Sequence, residues 1–74
     1  MEDKLEVRVG HRIQEMRRRA GITKARFCLM AGISRPYLDR IEAGRANVTL
    51  RMLDRLADSL GVSVADLVRD DPAR

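Results

Sequence analysis

The residues best equipped for chemistry lie in the segment RPYLDRIEAG, which starts at Arg35. At 100° per residue on a helix, Arg35, Pro36, Asp39, Arg40 and Ala43 fall on one side. Leu38 and Ile41 fall on the other, and Tyr37 and Glu42 flank them. The chemistry this offers is hydrogen-bonded recognition of something outside the chain. A guanidinium can donate two parallel bonds to guanine O6 and N7, and a carboxylate can accept from cytosine N4. An ordinary amphipathic helix with a charged solvent face carries the same pattern.

Other chemistries find few residues to use. The single His11 has no neighbour of catalytic or metal-ligand type, and the single Cys28 can form neither an internal disulfide nor a metal site. Asp54, Asp58, Asp66, Asp70 and Asp71 are spread along a charged face, and neither GxxxxGK nor HExxH is present. No catalytic residue, metal ligand or cofactor is expected, and the chain does not read as an enzyme.

The 74 residues read as one domain over 1–74, with a core of about 4–68 and a polar tail over 69–74. With one Phe, one Tyr and no Trp, the interior must be aliphatic. No run alternates with period two, so the expected fold class is all-α. The net charge of +4 is unevenly placed. Residues 8–45 hold ten Lys/Arg against three acids, whereas the segments on either side are slightly acidic. Such an asymmetric field attracts polyanions. No apolar stretch approaches the roughly 20 residues of a membrane span, and MEDKLEVR does not read as a signal peptide. A cytoplasmic, nucleoid-associated location is expected.

The elements that must position Arg35 and Arg40 can be placed from local signals. Leu5, Val9, Ile13 and Met16 form an apolar stripe on a helix of about 3–20, which Gly21 ends. Its basic C-terminal run, Arg17 to Arg19, complements the helix dipole. Thr23 caps a second helix over 24–31, with Phe27, Met30 and Ala31 inward and Leu29 outward. Gly32 ends that helix in a left-handed conformation. Ser34 then caps a third over about 35–43. Pro36 falls in its first turn, where a missing N–H costs little, but it pushes Arg35 away from helical geometry and predicts a start one residue late. Two helices joined by a three-residue turn containing Gly read as a helix-turn-helix. Thr49 caps a fourth helix, 50–60, with Leu50, Leu53, Leu56, Ala57 and Leu60 inward. Ser63 caps a last short one over 64–68, from which Leu67 packs back.

The order and spacing of several short pieces resemble the Cro/repressor (XRE-type) helix-turn-helix family of phage and bacterial DNA-binding regulators. The pieces are Gly10-x-Arg12-Ile13-x-x-Met16-Arg17, Gly21-Ile22-Thr23, Ala31-Gly32-Ile33-Ser34, Tyr37-Leu38-x-x-Ile41-Glu42-x-Gly44 and Leu56-Ala57-x-x-Leu60-Gly61-Val62. Together they cover about residues 8–68. The resemblance implies a compact five-helix bundle of the lambda-repressor-like type, with the 35–43 helix in the major groove of double-stranded DNA. It implies base contacts from Arg35, Pro36, Asp39 and Arg40, and phosphate contacts from Thr23, Lys24, Tyr37, Arg45 and Asn47. It gives structural roles to Gly32, to Ser34 and to an Arg17–Glu42 salt bridge between the first and third helices.

Within that frame Arg35, at the N-terminal end, is the guanine reader. Arg40 reaches either a second base or a phosphate. Asp39 either reads a cytosine or orients an arginine. Pro36 departs from the family's usual polar residue and offers an apolar surface to a thymine methyl. Lys24 stands where the family often has Gln, providing charge but not an amide's paired bonds. The expected function is sequence-specific DNA binding by a regulator, of repressor type, acting as a homodimer on a two-fold symmetric operator. Val62, Val64 and Val68 either form the dimer surface or close the bottom of the bundle. The alternative function is a protein-interaction module, such as an antitoxin-like partner, that uses the same fold as scaffold.

Overall fold

Side-chain oxygens set just before the apolar-periodic runs start four of the five helices. The hydroxyls of Thr23, Ser34, Thr49 and Ser63 accept from the backbone N–H groups of Arg26, Tyr37, Met52 and Asp66, each satisfying one of the donors a helix start leaves unpaired. At Ser63 the bond is reciprocated, because the Asp66 carboxylate accepts from the Ser63 N–H. The computed structural model describes residues 4–70. Its helices are α1 (Leu5–Arg19), α2 (Lys24–Ala31), α3 (Arg35–Glu42), α4 (Leu50–Leu60) and α5 (Val64–Val68). Every regular element among the described residues is helical. Gly32, at φ 70°, is the residue that turns the chain from α2 into the α2–α3 corner.

Each helix sends one large side chain to the centre. Ile13, Phe27, Leu38, Leu56 and Leu67 are fully buried, and burying such a chain contributes about 1.5–3 kcal/mol. Helix α1 packs on α3, α4 and α5, while α2 packs on α3 and α4. The closest of these approaches depends on a glycine. A Cβ added at Gly10 would overlap the carbonyl oxygen of Ile41 and lie 3.3 Å from the Gly44 nitrogen. Without a side chain there, α1 runs directly against the C-terminal end of α3 and sets its angle.

Several expectations are corrected. Helix α3 begins at Arg35, not one residue later, and ends at Glu42. With Ser34 as cap, Pro36 sits in the first turn, where its missing N–H interrupts no intrahelical bond. Helix α1 begins at Leu5, and the expected start at Asp3 lies outside the described residues, as do residues 71–74 of the polar tail. Met30, Leu5 and Leu50 were placed inward, but they are 46%, 51% and 83% exposed. Each lies in a terminal turn of its helix, and Leu5 and Leu50 line one groove together with Ile41, Leu53 and Val68. Val62, Val64 and Val68 are half-buried and pack against the core.

Candidate nucleic-acid interface

Two ion pairs fix α3 between its neighbours, and a third group of cations turns away from it. At the α1 side, Arg17 and Glu42 form a two-bonded fork. Nε donates to Oε2 at 2.7 Å and Nη2 to Oε1 at 3.1 Å. Their side chains are only 6% and 3% exposed. The remaining polar capacity is used locally, as Arg17 Nη1 donates to the Ile22 carbonyl and Gln14 Nε2 to Glu42 Oε1. Arg17 therefore ties together α1, the turn into α2, and the end of α3. Hydrogen bonding to Glu42 holds the Arg17 guanidinium above its ordinary pKa, against the burial that acts to lower it. The charge is kept inside the fold.

At the α2 side, Lys24 Nζ donates to Asp39 Oδ1 at 2.9 Å. This pair is open to solvent, with side chains 34% and 51% exposed. The Lys24 bond holds the Asp39 carboxyl below the usual carboxylate range, with a further contribution from the positive charge of Arg35. Between these anchors α3 presents its outer face. Arg35, Pro36, Asp39 and Arg40 are all exposed. Neither the Arg35 nor the Arg40 side chain has a hydrogen-bond or ion-pair partner among the described residues. Leu38 and Ile41 are buried on the opposite side, as the 100° count requires.

The other candidates occupy varied positions. Thr23 and Ser34 are exposed, but their hydroxyls already accept cap bonds. Tyr37 is half-buried against the core. Arg45 and Asn47 are exposed in the loop after α3, and the Arg45 N–H donates to the Arg40 carbonyl. Cys28 is buried behind the α2–α3 corner, and that burial pushes its thiol pKa up. It is poorly placed for thiolate chemistry.

The basic field divides in a way that the sequence counts did not reveal. Arg12 Nη1 donates to the carbonyls of Asp66 and Arg69 at 3.1 and 2.8 Å. Arg8 Nη2 donates to the Val68 carbonyl at 3.2 Å. These two cations complement the C-terminal end of α5 and do not belong to the surface around α3. Arg19 is engaged with Glu15 along α1. Of the ten cations in residues 8–45, Lys24 is paired with Asp39, and the side chains of Arg18, Arg26, Arg35, Arg40 and Arg45 are exposed without a hydrogen-bond or ion-pair partner among the described residues.

A helix-turn-helix family model matches residues 13–67. The chain belongs to the XRE-type helix-turn-helix family of DNA-binding regulators. It is 40% identical over 60 residues to the HTH-type transcriptional regulator y4dJ of Sinorhizobium fredii, covering 81% of this chain and 78% of that protein. It is 35% identical over 63 residues to the immunity repressor protein of Bacillus phage phi105, covering 85% of this chain and 44% of the repressor. The chain thus spans less than half of that relative. Among solved structures, SinR, a master regulator for biofilm formation, in complex with DNA matches at TM-score 0.75 and 30% identity. That match covers 80% of this chain and 95% of the other.

Within this helix-turn-helix chain, two contributors escaped sequence reasoning. The Lys24–Asp39 pair joins residues fifteen apart on different helices, a separation that no local pattern encodes. Gly10 did leave a signal. Glycine inside a helix costs about 1 kcal/mol relative to alanine, so its place within an otherwise good helix calls for a packing reason. The Ile41 carbonyl supplies that reason.

Proposed function

We propose that this chain is a sequence-specific double-stranded DNA-binding domain of repressor type, reading base edges with α3 in the major groove. One observation carries the reading. The side chains of Arg35 and Arg40 stand exposed and unengaged on the outer face of a helix that the buried Arg17–Glu42 pair ties to α1. Arginine side chains held this way, on a rigid element, suit bidentate recognition of guanine. Arg35 leads from the N-terminal end as the guanine reader, with Arg40 behind it on a second base or a phosphate. Pro36 offers an apolar contact. Thr23, Tyr37, Arg45 and Asn47 form the surround that meets the phosphate backbone, with Lys24 paired to Asp39 at its edge, while Arg17, Glu42, Gly32 and Ser34 hold the frame. The phi105 relative is an immunity repressor, which supports repression as the output.

One recognition helix reads only a few base pairs. The reading therefore includes a homodimer on a two-fold operator, with half-sites about 34 Å apart. It treats residues 1–74 as one DNA-binding domain without catalytic function, acting in the cytoplasm with the nucleoid. No helix among the described residues is long and apolar enough to cross a membrane.

A second reading, a protein-interaction module, draws on the exposed apolar neighbours Leu29 and Met30 on α2, 82% and 46% exposed. Selection of bound duplexes from a random DNA pool tests the first reading, with affinity then measured against salt. Binding through several phosphates loses about 0.9 log units per log unit of salt for each phosphate neutralised. A pool that yields no enriched sequence, or a flat salt dependence, removes the DNA-reading function and leaves the protein-interaction module.

A further inference from the structure

Lys24 opens α2 and Asp39 lies in the middle of α3, so their ion pair bridges the two helices beside the proposed reading head. The pair uses one carboxylate oxygen. Oδ1 accepts from Lys24 Nζ, and Oδ2 has no partner among the described residues. An ionised carboxylate can only accept hydrogen bonds, so its complement in the major groove is an exocyclic amine. Cytosine presents N4 there as a donor alone, whereas the N6 donor of adenine sits beside the N7 acceptor, which opposes a carboxylate. A bare carboxylate would also be repelled by the phosphates on either side of the groove. Lys24 offsets that repulsion, because its charge lies 2.9 Å from the carboxylate.

Building on the reading that α3 enters the major groove, we propose that Lys24 and Asp39 form a single specificity element for a C·G base pair. Asp39 accepts from the N4 amine of the cytosine. Lys24 is a positioning residue that orients the carboxylate and makes its entry into the groove electrostatically tolerable. This sets the pair apart from a simple phosphate contact, since a lysine serving the backbone would act in the same way whether or not Asp39 were present.

The test takes the full chain and the duplexes it enriches from a random pool. Dissociation constants are measured on the selected duplex, on its single-base variants and on random duplex. The proteins compared are the wild type, Lys24→Met, Lys24→Arg, Asp39→Ala, Arg35→Ala and the Lys24→Met/Asp39→Ala double variant, with thermal melts to verify folding. Asp39→Ala is expected to erase the preference at one cytosine position, a loss of about 5- to 150-fold on the selected duplex. Lys24→Met narrows that same preference, Lys24→Arg keeps it, and Lys24→Met has no further effect on it once Asp39 is alanine. The proposal is overturned if Lys24→Met weakens selected and random duplexes alike, lowers the salt slope by about one and leaves the cytosine preference intact. It is equally overturned if Asp39→Ala changes no base preference. In either case, a preference still lost in Arg35→Ala leaves the DNA-reading function standing. A wild-type protein that enriches no sequence removes both.

Discussion

The two flanks of α3 are held by the same kind of bond in opposite environments. Arg17 and Glu42 lie almost wholly inside the protein, with each guanidinium nitrogen and carboxylate oxygen hydrogen-bonded, whereas Lys24 and Asp39 lie open to solvent with one carboxylate oxygen unused. The buried pair cannot be spared, since removing one partner strands a charge where water cannot reach it. The exposed pair can be opened at little energetic cost, because water and salt screen it. The difference separates a joint that sets the position of α3 from one that remains available to a ligand.

The largest test of that contrast is Glu42→Ala. Leaving the Arg17 guanidinium buried without its carboxylate should destabilise the fold by about 3–5 kcal/mol, read from the midpoint of urea unfolding. For a domain of this size each kcal/mol corresponds to a shift of about 4–8 °C in melting temperature, so the variant should melt far below the wild type. An unchanged melting temperature would show that the buried pair is not the joint described.

Gly10→Ala comes next. The added methyl group meets the Ile41 carbonyl, and α1 must move away from α3 at a cost of about 1–3 kcal/mol. Because that movement shifts α3, DNA affinity should fall as well. A variant with wild-type stability would mean that the α1–α3 crossing has slack to spare.

Arg35→Ala should do the reverse. Its side chain is exposed and unengaged, so unfolding should be unchanged to within about 0.5 kcal/mol. Binding to the selected duplex should weaken by about 1–3 kcal/mol, with preference relaxed at one base position. Equal losses on selected and random DNA would place the reading head elsewhere.

The smallest expected effect is on acid titration. Asp39 is held below the ordinary carboxylate range, first by its bond to Lys24. A depressed folded-state pKa contributes stability that is present above the unfolded value of about 3.9 and is lost as pH falls through the folded one. Carboxyl chemical shifts should therefore show Asp39 titrating below that value in the wild type and moving up in Lys24→Met. Asp66, lowered by its bonds to the Ser63 backbone and hydroxyl, serves as internal control and should not move. An Asp39 that titrates identically in both proteins would argue against the pair in solution.

Much of this was legible in the chain because the deciding interactions are short in sequence. A capping hydroxyl meets an N–H three residues on, as at Thr23, Ser34, Thr49 and Ser63. A left-handed residue such as Gly32 needs only its own missing Cβ. The 100° count placed Leu38 and Ile41 inside and Arg35 and Arg40 outside because a helix fixes angle from residue to residue. Periodicity, however, gives a direction and not a depth. Met30 and Leu50 lie on the apolar stripes and are still exposed.

Charge was the least legible property. Nothing local distinguishes Arg8 and Arg12, which close the end of α5 more than fifty residues away, from Arg35 and Arg40, which remain open. Long cationic side chains find partners across the fold, so only the packing of α1 on α5 and of α2 on α3 decides which of them are used up. Local sequence determined where the four capped helices begin, where most helices end, and which side of α3 faces out. Tertiary structure decided how closely α1 approaches α3, which ion pairs are sealed from water, and which cations keep no partner within the fold, because those depend on distances that arise only when separate helices come together.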